Sequence, residues 1–425
     1  MLTIAIAGLG TVGCAVVRQL RREADMIAAR AGQPVKIAAV SARHKGNKRN
    51  CDLSGIAWVD DPDDLSVMPD VDAVVELIGG ADDPAHRVVQ LALANGKHVV
   101  TANKALMAKH GPALAALAEK SGVRLSFEAA VGGGIPVIKA FRESMAGDSI
   151  ESFCGILNGT CNYILTRMRE EAMSFESALA DAQKHGYAEA DPAADVDGHD
   201  TANKLAILSG LAFGVQPDVR AVTLQGLRHI SHADIGFAED LGYRIKMLGQ
   251  AQIGEEGIEQ RVGPALVPKS LPLAHVEGTM NAVLLHGRYA GPLMLEGLGA
   301  GGPSTANAVV ADLVDLARGG KINTFLCGAE RLKPLVPAKL KPTRYYLRLQ
   351  VDDKPGVVAD VASVMRDEAL SFESLIQRGG SSTQSVPVII TTHAGDVAAM
   401  QRAVDRIAKL PSVRELPCLI PMEEA

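Results

Sequence analysis

The chain has 425 residues, of which 47% are hydrophobic and 22% charged, and its formal net charge at pH 7 is −6. This length and balance predict a soluble globular protein of about two or three domains, without a basic surface for nucleic acid. Because no run of about 18 apolar residues and no cleavable apolar leader occur, we expect neither a membrane span nor secretion, and therefore a cytoplasmic protein.

The six cysteines are scattered along the chain, and none forms a C-x-x-C pair. This spacing argues against a zinc ribbon and against a disulfide framework. We therefore expect reduced thiols, most of them in the core.

The first predicted element is the strand LTIAIAG, which leads into a glycine-rich turn and then into an amphipathic helix to about Arg30. The turn reads G-x-G-x-x-G, whose glycines permit a tight turn, close approach of the backbone to a pyrophosphate, and tight packing of helix on strand. The phosphates of a dinucleotide would rest on the helix N-terminus. The alternative is a glycine turn in an unrelated α/β fold. The predicted cofactor contacts are Gly8, Gly10, Thr11, Val12 and Gly13.

A second predicted strand, Val35 to Ser41, ends where a fold that prefers NAD usually carries an acidic residue for the ribose hydroxyls. Here the chain continues with Ala42-Arg43-His44-Lys45, and Lys48 and Arg49 follow. The missing acid and Arg43 favour binding of a 2′-phosphate, and hence NADP over NAD. A solvated basic loop is the alternative.

Three more apolar runs alternate with helical stretches, a pattern typical of a parallel sheet that is covered on both faces. In open α/β sheets, ligands bind at the carboxyl ends of the strands. Lys104 follows one such end and is therefore a candidate site residue; a surface lysine at a helix start is the alternative reading. The predicted strands are Asp72 to Ile78, Lys97 to Thr101, and Val123 to Glu128.

Two glycine-containing turns precede helices farther along the chain. Gly132 to Pro136 precedes one helix, and Asn158 to Asn162 opens another after the strand Ser149 to Leu157. Turns of this kind leave backbone N–H donors available to a carboxylate, a phosphate or an amide. Because ordinary turn chemistry uses the same residues, both interpretations stay open.

The segment Gly186 to Leu208 places several carboxylates and a lysine around the start of a predicted helix. Asp200 and Lys204 are four residues apart, so they face the same side of that helix and can share a proton or a substrate atom. Surface ion pairing would explain the same spacing. An apolar face at roughly helical spacing predicts instead that the lysine is buried or half-buried. This face consists of Leu205, Ile207, Leu208 and Leu211.

Beyond this segment the sequence predicts short strands and turns to about Gly299, then a helix Thr305 to Arg318 that returns to pack on the nucleotide domain. The proline-rich segment Leu332 to Thr343 is predicted to be a linker. A compact βαββαβ unit follows, and this topology alone assigns no ligand. Its predicted strands are Tyr345 to Val351, Ser371 to Gln377, Val386 to Thr392 and Val413 to Ile420, and its helices are Val357 to Glu368 and Val397 to Leu410.

Seven blocks together resemble the homoserine dehydrogenase family over the whole chain. They are GLGTVG at Gly8, ELIGG at Glu76, TANKAL at Thr101, GGGIP at Gly132, GILNGTCNYIL at Gly155, GYAEADPAADVDGHDTANK at Gly186 and GAGGPSTA at Gly299. The segment DDKPGVVADVA at Asp352 resembles the ACT domain that many bacterial members carry for feedback by threonine. The resemblance implies the reversible, NAD(P)-linked interconversion of L-homoserine and L-aspartate 4-semialdehyde, which leads to threonine, methionine and isoleucine.

The resemblance also assigns residues. Lys204 would be the proton donor and acceptor at the substrate oxygen, with Asp200 beside it, and Lys104 would lie between nicotinamide and substrate. Glu189 would bind the substrate's amino group, and Gly302 would contact the cofactor. Further expected substrate contacts are Asp195, Asn158, Gly159 and Thr160. The family's monovalent cation, usually sodium, would be held at Glu128, Val131, Gly133 and Ile135.

Several alternatives stay open after the resemblance. Asp191 and Asp195 fit substrate binding or helix capping, and Cys161, where many members have threonine, fits packing better than nucleophilic attack. Burial and a neighbouring cation would lower the pKa of Lys204, whereas Asp200 would raise it. A prephenate or phosphoglycerate dehydrogenase, or a catalytically silent amino-acid sensor, is the alternative function.

The predicted fold class is α/β. It comprises a Rossmann-type nucleotide-binding domain (1–131), an α+β substrate and dimerisation domain (132–303), a helix returning to the nucleotide domain (304–331), a linker (332–343) and a βαββαβ ACT-like domain (344–425). The expected partners are homoserine or aspartate semialdehyde and a threonine effector, in a homodimer or homotetramer.

Overall fold

The computed structural model describes residues 1–320, 322–377 and 385–424, so parts of the predicted units 304–331 and 344–425 lie outside the described residues. No helix in these ranges is long and apolar enough to cross a membrane. The N-terminal part contains β1 (Leu2–Ala7), α1 (Thr11–Arg22), α2 (Ala24–Ala31), β2 (Val35–Ser41), β3 (Ala57–Trp58), α3 (Pro62–Leu65), β4 (Ala73–Glu76), α4 (Ala85–Ala94), β5 (His98–Thr101), α5 (Lys104–Ser121) and β6 (Leu125–Ser126).

These six strands form a parallel sheet in the order β3-β2-β1-β4-β5-β6. The central strands β1, β4 and β5 are mostly apolar and buried, as expected for strands covered by helices on both faces. The strand order reverses between β1 and β4, and ligands bind in the crevice that such a reversal opens at the carboxyl ends of the strands. The prediction of a Rossmann-like α/β domain is confirmed, and its crevice is where the glycine-rich turn lies.

Some predicted boundaries in this domain were wrong. The first helix breaks at Glu23, where φ is −107° and ψ is 25°. Strand β4 stops at Glu76 because its carboxylate accepts hydrogen bonds from the backbone N–H of Ile78 (2.7 Å) and Gly79 (3.1 Å) and turns the chain. Strand β6 is shorter than predicted, since Glu128 already lies in a 3-10 turn.

The middle of the chain adds a helical layer and a largely antiparallel sheet. Its elements are α6 (Val137–Lys139), β7 (Ile150–Ile156), α7 (Gly159–Glu170), α8 (Phe175–Lys184), α9 (Ala193–Val196), α10 (His199–Phe213), β8 (Thr223–Leu224), α11 (His232–Asp240), β9 (Tyr243–Ile253), β10 (Ile258–Pro268), β11 (Met280–Gly287), β12 (Gly291–Leu298) and α12 (Gly302–Arg318).

The expectation of short strands and turns after the acidic segment was wrong, because β9 and β10 are each 11 residues long and pair along their whole length. Gly249 lies inside β9. A Cβ there would come within 3.1 Å of both Leu157 and Thr201. The glycine therefore lets α10 approach the sheet closely.

The C-terminal part has the predicted βαββαβ order. It contains β13 (Arg344–Asp352), α13 (Val357–Asp367), β14 (Phe372–Gln377), β15 (Ser385–Thr392), α14 (Val397–Ile407) and β16 (Cys418–Met422). The last strand does not begin at Val413 as predicted. Val413 makes one isolated bridge to Val351, and Pro417, which has no N–H to donate, precedes the strand itself.

This C-terminal unit is joined to the middle of the chain through its sheet. Strand β16 pairs in parallel with β10 at Leu266 and Met422, so a 10-stranded sheet runs in the order β12-β11-β7-β9-β10-β16-β13-β15-β14, with β8 on β10. On the other side of the molecule, α12 packs against α1, and a Cβ at Gly302 would lie 3.0 Å from the Thr11 side chain. The end of the middle segment therefore meets the start of the nucleotide domain.

Candidate active site

Helix α10 carries a carboxylate and a lysine into the protein interior. Asp200 and Lys204 are only 6% and 8% exposed. The Lys204 ammonium donates to Asp200 Oδ2 over 2.7 Å and to the backbone oxygen of Leu157 over 2.6 Å. Lys104, at the start of α5, forms an ion pair with the other oxygen of Asp200. The alternative of a surface ion pair between Asp200 and Lys204 is therefore wrong, and two lysines share one buried carboxylate.

The two partners shift each other's pKa in opposite directions. Burial lowers the pKa of Lys204, Asp200 raises it and Lys104 lowers it, and the result lies below the ordinary value of lysine. Burial would raise the pKa of Asp200, but Lys204 and Lys104 hold it well below its usual range. Asp200 is thus a permanent anion near neutral pH, whereas Lys204 loses its proton more readily than a solvated lysine.

Asn158 connects this cluster to the start of α7. Its amide nitrogen donates to Asp200 Oδ2 (2.9 Å) and Asp195 Oδ1 (2.8 Å), and its side-chain oxygen caps the helix by accepting from Cys161 N (2.8 Å). The backbone N–H groups of Gly159 and Thr160 lie beside it in the first turn of α7. Asp195 is thus fixed next to the cluster, and burial raises the pKa of its carboxyl.

Other residues of the acidic segment lie farther out. The Glu189 side chain is exposed and has no hydrogen bond or ion pair to the described part of the chain. The Thr160 hydroxyl donates to the backbone oxygen of Tyr187 over 2.7 Å, and this bond connects α7 to the segment that carries Glu189. The Asp191 carboxylate accepts from Ala193 N just before α9, whose N-cap residue is Pro192. Cys161 is buried and its thiol pKa is raised by burial, so it is a packing residue.

The glycine-rich turn has the shape that a dinucleotide requires. A Cβ at Gly8 would come 2.4 Å from the Leu77 oxygen, and one at Gly13 would come 2.1 Å from the Gly8 oxygen, so neither position admits a larger residue. Gly10 has no described neighbour within 4 Å of such a Cβ, which leaves open space in front of α1. Thr11 and Val12 begin this helix, and no acidic residue lies in its first turn.

Comparison with known proteins agrees with this geometry. Residues 8–128 match the model for the homoserine dehydrogenase NAD-binding domain, and residues 136–314 match the model for homoserine dehydrogenase. The homoserine dehydrogenase of Pseudomonas aeruginosa is 43% identical over 419 residues, which cover 96% of this chain and 95% of that protein. The chain belongs to the homoserine dehydrogenase family. It is therefore an oxidoreductase.

Two solved structures of homoserine dehydrogenases extend the comparison. The enzyme from Thiobacillus denitrificans superposes with a TM-score of 0.92 at 40% identity and covers 100% of this chain and 98% of its own. A hyperthermophilic archaeal homoserine dehydrogenase in complex with NADPH has a TM-score of 0.63 at 26% identity, covering 74% of this chain and 96% of its own. The chain thus shares its fold over its whole length with the Thiobacillus denitrificans enzyme.

The basic loop after β2 leaves Arg43 available. Arg49 lies over the Trp58 ring at 4.9 Å and donates to the backbone oxygens of Lys45 and Asn47, which holds the loop in shape. Arg43 is exposed and makes no hydrogen bond or ion pair with the described residues. Both the phosphate-binding and the solvated-loop interpretation of Arg43 are compatible with this arrangement.

The residues that the resemblance assigns to a cation include a buried carboxylate, Glu128. Glu128 is 2% exposed, and its oxygens accept from the backbone N–H of Ile138 (3.0 Å) and Lys139 (2.9 Å). Burial and nearby Asp312 raise the pKa of Glu128 to about 8, and burial raises the pKa of Asp312 to about 6. A cation would offset this excess of buried negative charge, and carboxylate and carbonyl oxygens suit a hard ion. The residues present therefore fit the expected group.

Two contributors were not identified from the sequence. The Leu157 carbonyl accepts from Lys204, but the sequence could not indicate this contact because every residue has a backbone carbonyl. Asp312, which accepts from Glu128 N over 2.9 Å, could have been identified from the sequence. It interrupts the apolar run 308–314 of α12, and a carboxylate among apolar residues needs a buried partner.

Proposed function

We propose that this homoserine dehydrogenase catalyses the reversible NAD(P)H-dependent reduction of L-aspartate 4-semialdehyde to L-homoserine. The observation that supports it most directly is the Lys204–Asp200–Lys104 cluster. Lys104 directly follows β5, at the same sheet edge as the glycine-rich turn, and its ion pair with Asp200 brings α10 to that edge. The cluster thus adjoins the crevice where a dinucleotide would bind.

Lys204 acts as the general acid and base in this proposal. When bound, the nicotinamide supplies or accepts the hydride. As the aldehyde carbon is reduced, negative charge develops on its oxygen, and a proton from the Lys204 ammonium neutralises it. Two of the three N–H donors of Lys204 bond to Asp200 and Leu157, so the third is available to the substrate oxygen. In the reverse direction the neutral amine accepts the proton from the homoserine hydroxyl.

Asp200 and Lys104 support this proton transfer. The Asp200 carboxylate fixes the direction of both lysine side chains through its two oxygens. The Lys104 side chain is 43% exposed and starts α5 at the sheet edge that borders the crevice, where it can position substrate and nicotinamide. Its positive charge makes it easier for Lys204 to release a proton.

The polar ends of the substrate have complementary groups nearby. The first turn of α7 offers the N–H groups of Gly159 and Thr160 to the α-carboxylate, since helix N-termini bind anions. The unpaired carboxylate of Glu189 and that of Asp195 suit the substrate's ammonium group. Homoserine has both an α-carboxylate and an ammonium group, so these protein groups are complementary to an amino-acid substrate.

The cofactor contacts proposed are the glycine-rich turn, Gly302 and Arg43. An unpaired exposed guanidinium after β2 suits a 2′-phosphate, so we propose NADP as the preferred cofactor, with NAD as the alternative. A monovalent cation, taken to be sodium, would be held by Glu128 and by the backbone oxygens of Val131, Gly133 and Ile135. Its role there would be to neutralise buried charge and stiffen the loop between the two domains.

The C-terminal unit is proposed to be an ACT-like regulatory domain with a threonine effector. Support comes from its βαββαβ order and from Gly356, whose φ is +98° at the open N-terminus of α13. We propose a cytoplasmic location as well, and the family resemblance supports a homodimer or homotetramer.

Initial rates with NADPH and with NADH, each with and without threonine, test these proposals together. Loss of NADPH absorbance on addition of aspartate semialdehyde is expected, with slower turnover for NADH and inhibition by threonine. If no salt condition supports NADPH oxidation, the proposed reaction is wrong. Replacing sodium by choline in the same assay tests whether the rate depends on the proposed metal cation.

A further inference from the structure

Asn281 is a buried polar residue without a partner. It lies on β11 and is 1% exposed, and neither its amide nitrogen nor its oxygen has a hydrogen-bond partner among the described residues. Buried polar side chains are nearly always paired, because a desolvated donor or acceptor left alone is unfavourable. An exception of this kind beside an active site calls for a functional explanation.

The Asn281 carboxamide lies between two glycine turns of the site. A Cβ on Gly299 would come 2.0 Å from Asn281 Cγ, and a Cβ on Gly159 would come 3.3 Å from Asn281 Oδ1. Gly159 belongs to the first turn of α7, where the substrate is proposed to bind. Gly299 belongs to the turn Gly299–Gly301, which precedes α12.

The turn Gly299–Gly301 also contacts the other two loops of the site. A Cβ on Gly133 would come 2.4 Å from the Gly299 oxygen, so the proposed cation loop packs directly on the turn. The next residue, Gly302, packs on Thr11 of the glycine-rich turn. Substrate, cofactor and cation loops therefore converge on one short segment, and Asn281 lies beneath it.

We propose that Asn281 is a positioning residue that couples substrate binding to cofactor binding. Its carboxamide offers one donor group and one acceptor, which match the C=O and N–H of a backbone peptide. The turn consists of glycine and alanine, and Gly301 has φ of +115°, so its peptides can reorient. Binding of both ligands shifts the turn so that the Asn281 carboxamide forms hydrogen bonds with a peptide of the turn. Because either ligand favours this paired state, each ligand increases the affinity for the other.

This inference rests on the proposed function, and its test uses the two reduced ligands, NADPH and L-homoserine, which cannot react with each other. The dissociation constant of NADPH is measured by calorimetry with and without saturating L-homoserine. In the wild-type protein homoserine should tighten NADPH binding about tenfold or more, within the usual range of coupling between sites. In Asn281→Leu, which has a similar volume, the factor should fall to about one.

Further readouts separate positioning from a structural role. Asn281→Leu should keep or raise the Tm of the ligand-free protein, because it removes an unpaired polar group. KM for aspartate semialdehyde and for NADPH should rise together, whereas kcat changes less, since Lys204 is untouched. Asn281→Ala should lose the coupling too, even if the cavity it leaves lowers Tm.

Gln260→Met is the matched control. Gln260 lies on β10, is 2% exposed and also has a carboxamide without a partner among the described residues, but strands β7 and β9 separate β10 from β11, which carries Asn281. It should leave the coupling factor unchanged. Coupling that is absent in the wild type, retained in Asn281→Leu or lost equally in Gln260→Met would overturn the proposal. Failure of the wild type to reduce aspartate semialdehyde would refute the proposed function instead, and the two results are measured separately.

Discussion

The Lys204 ammonium donates to the Asp200 carboxylate over 2.7 Å, one helical turn earlier in α10, and both groups are buried. The same carboxylate holds Lys104 through its second oxygen. A lysine in this position keeps a partner that orients it, while burial and the second lysine make its proton easier to release. The cluster is thus suited to proton transfer in both directions.

Replacing Lys204 with methionine should reduce kcat by roughly 10²-fold or more, the usual effect of losing a general acid. The NADPH dissociation constant should change little, because Lys204 has no contact with the glycine-rich turn. Steady-state rates and calorimetry measure the two quantities. Lys246→Met provides a control, since Lys246 is another buried lysine and burial lowers its pKa to about 8. Near-normal turnover in Lys204→Met would contradict the assigned role.

Asp200→Asn should move the pH dependence of the reaction toward lower pH. Reduction needs protonated Lys204, so its rate falls as pH rises through the pKa of that lysine. Asp200 raises the pKa of Lys204, and without it burial and Lys104 lower that pKa further. The fall in kcat for reduction, and the rise in kcat for homoserine oxidation, should both occur at lower pH than in the wild type. Profiles from about pH 6 to about pH 10 cover this range; a shift toward higher pH would refute the role of Asp200.

Arg43→Ala should weaken NADPH more than NADH. A charge-assisted hydrogen bond contributes about 1.5–3 kcal/mol, and about 1.4 kcal/mol is tenfold, so KM for NADPH should rise roughly tenfold or more. KM for NADH should stay within about twofold, because NADH has no 2′-phosphate. Lys36→Ala is the control, since Lys36 is an exposed cation at the opposite end of β2. Equal effects on both cofactors would rule out phosphate recognition by Arg43.

Local features of the site could be predicted from the sequence, whereas long-range ones could not. Gly13 is required by its contact with Gly8 within one strand–turn–helix unit, and the glycine spacing between a predicted strand and a predicted helix indicated the nucleotide domain. The contact of Gly8 with Leu77, after β4, is long-range and could not be predicted in this way. The four-residue spacing of Asp200 and Lys204 likewise predicted that they share a helix face. The ion pair to Lys104 joins distant parts of the chain, and no periodicity encodes it. The role of Asn281 could not be predicted from the sequence either, because only the folded structure shows that its carboxamide is buried without a partner among the described residues.

The C-terminal unit shows the same limit. Its alternation of strands and helices predicted the βαββαβ order, since each element buries its own apolar face. Strand β16 pairs with β10 and so joins the middle and C-terminal parts in one sheet. This pairing brings together two strands that are far apart in the sequence, and the pattern of either strand does not predict it. A deletion of the whole unit would therefore expose the edge of β10, and point substitutions are the better way to examine its coupling.

Asp234→Ala should destabilise the protein where these two parts meet. Asp234 of α11 is fully buried, and its Oδ1 accepts from the Tyr346 hydroxyl (2.9 Å) and Arg348 Nε (2.7 Å) of β13. Its loss leaves Arg348, 8% exposed, with the exposed Glu415 at 3.6 Å as its remaining ion-pair partner among the described residues. Removing one partner of a buried ion pair lowers the free energy of unfolding by about 3–5 kcal/mol.

Urea unfolding of the full chain measures this effect, and Tyr346→Phe is the matched variant. It removes one hydrogen bond to the same carboxylate but leaves the charge pair, so it should lower the free energy of unfolding by only about 1 kcal/mol. Equal losses in both variants would mean that Arg348 finds another partner when Asp234 is absent. A larger loss for Asp234→Ala, together with a separate early transition of the C-terminal unit, is the expected result, because this carboxylate connects β13 to α11.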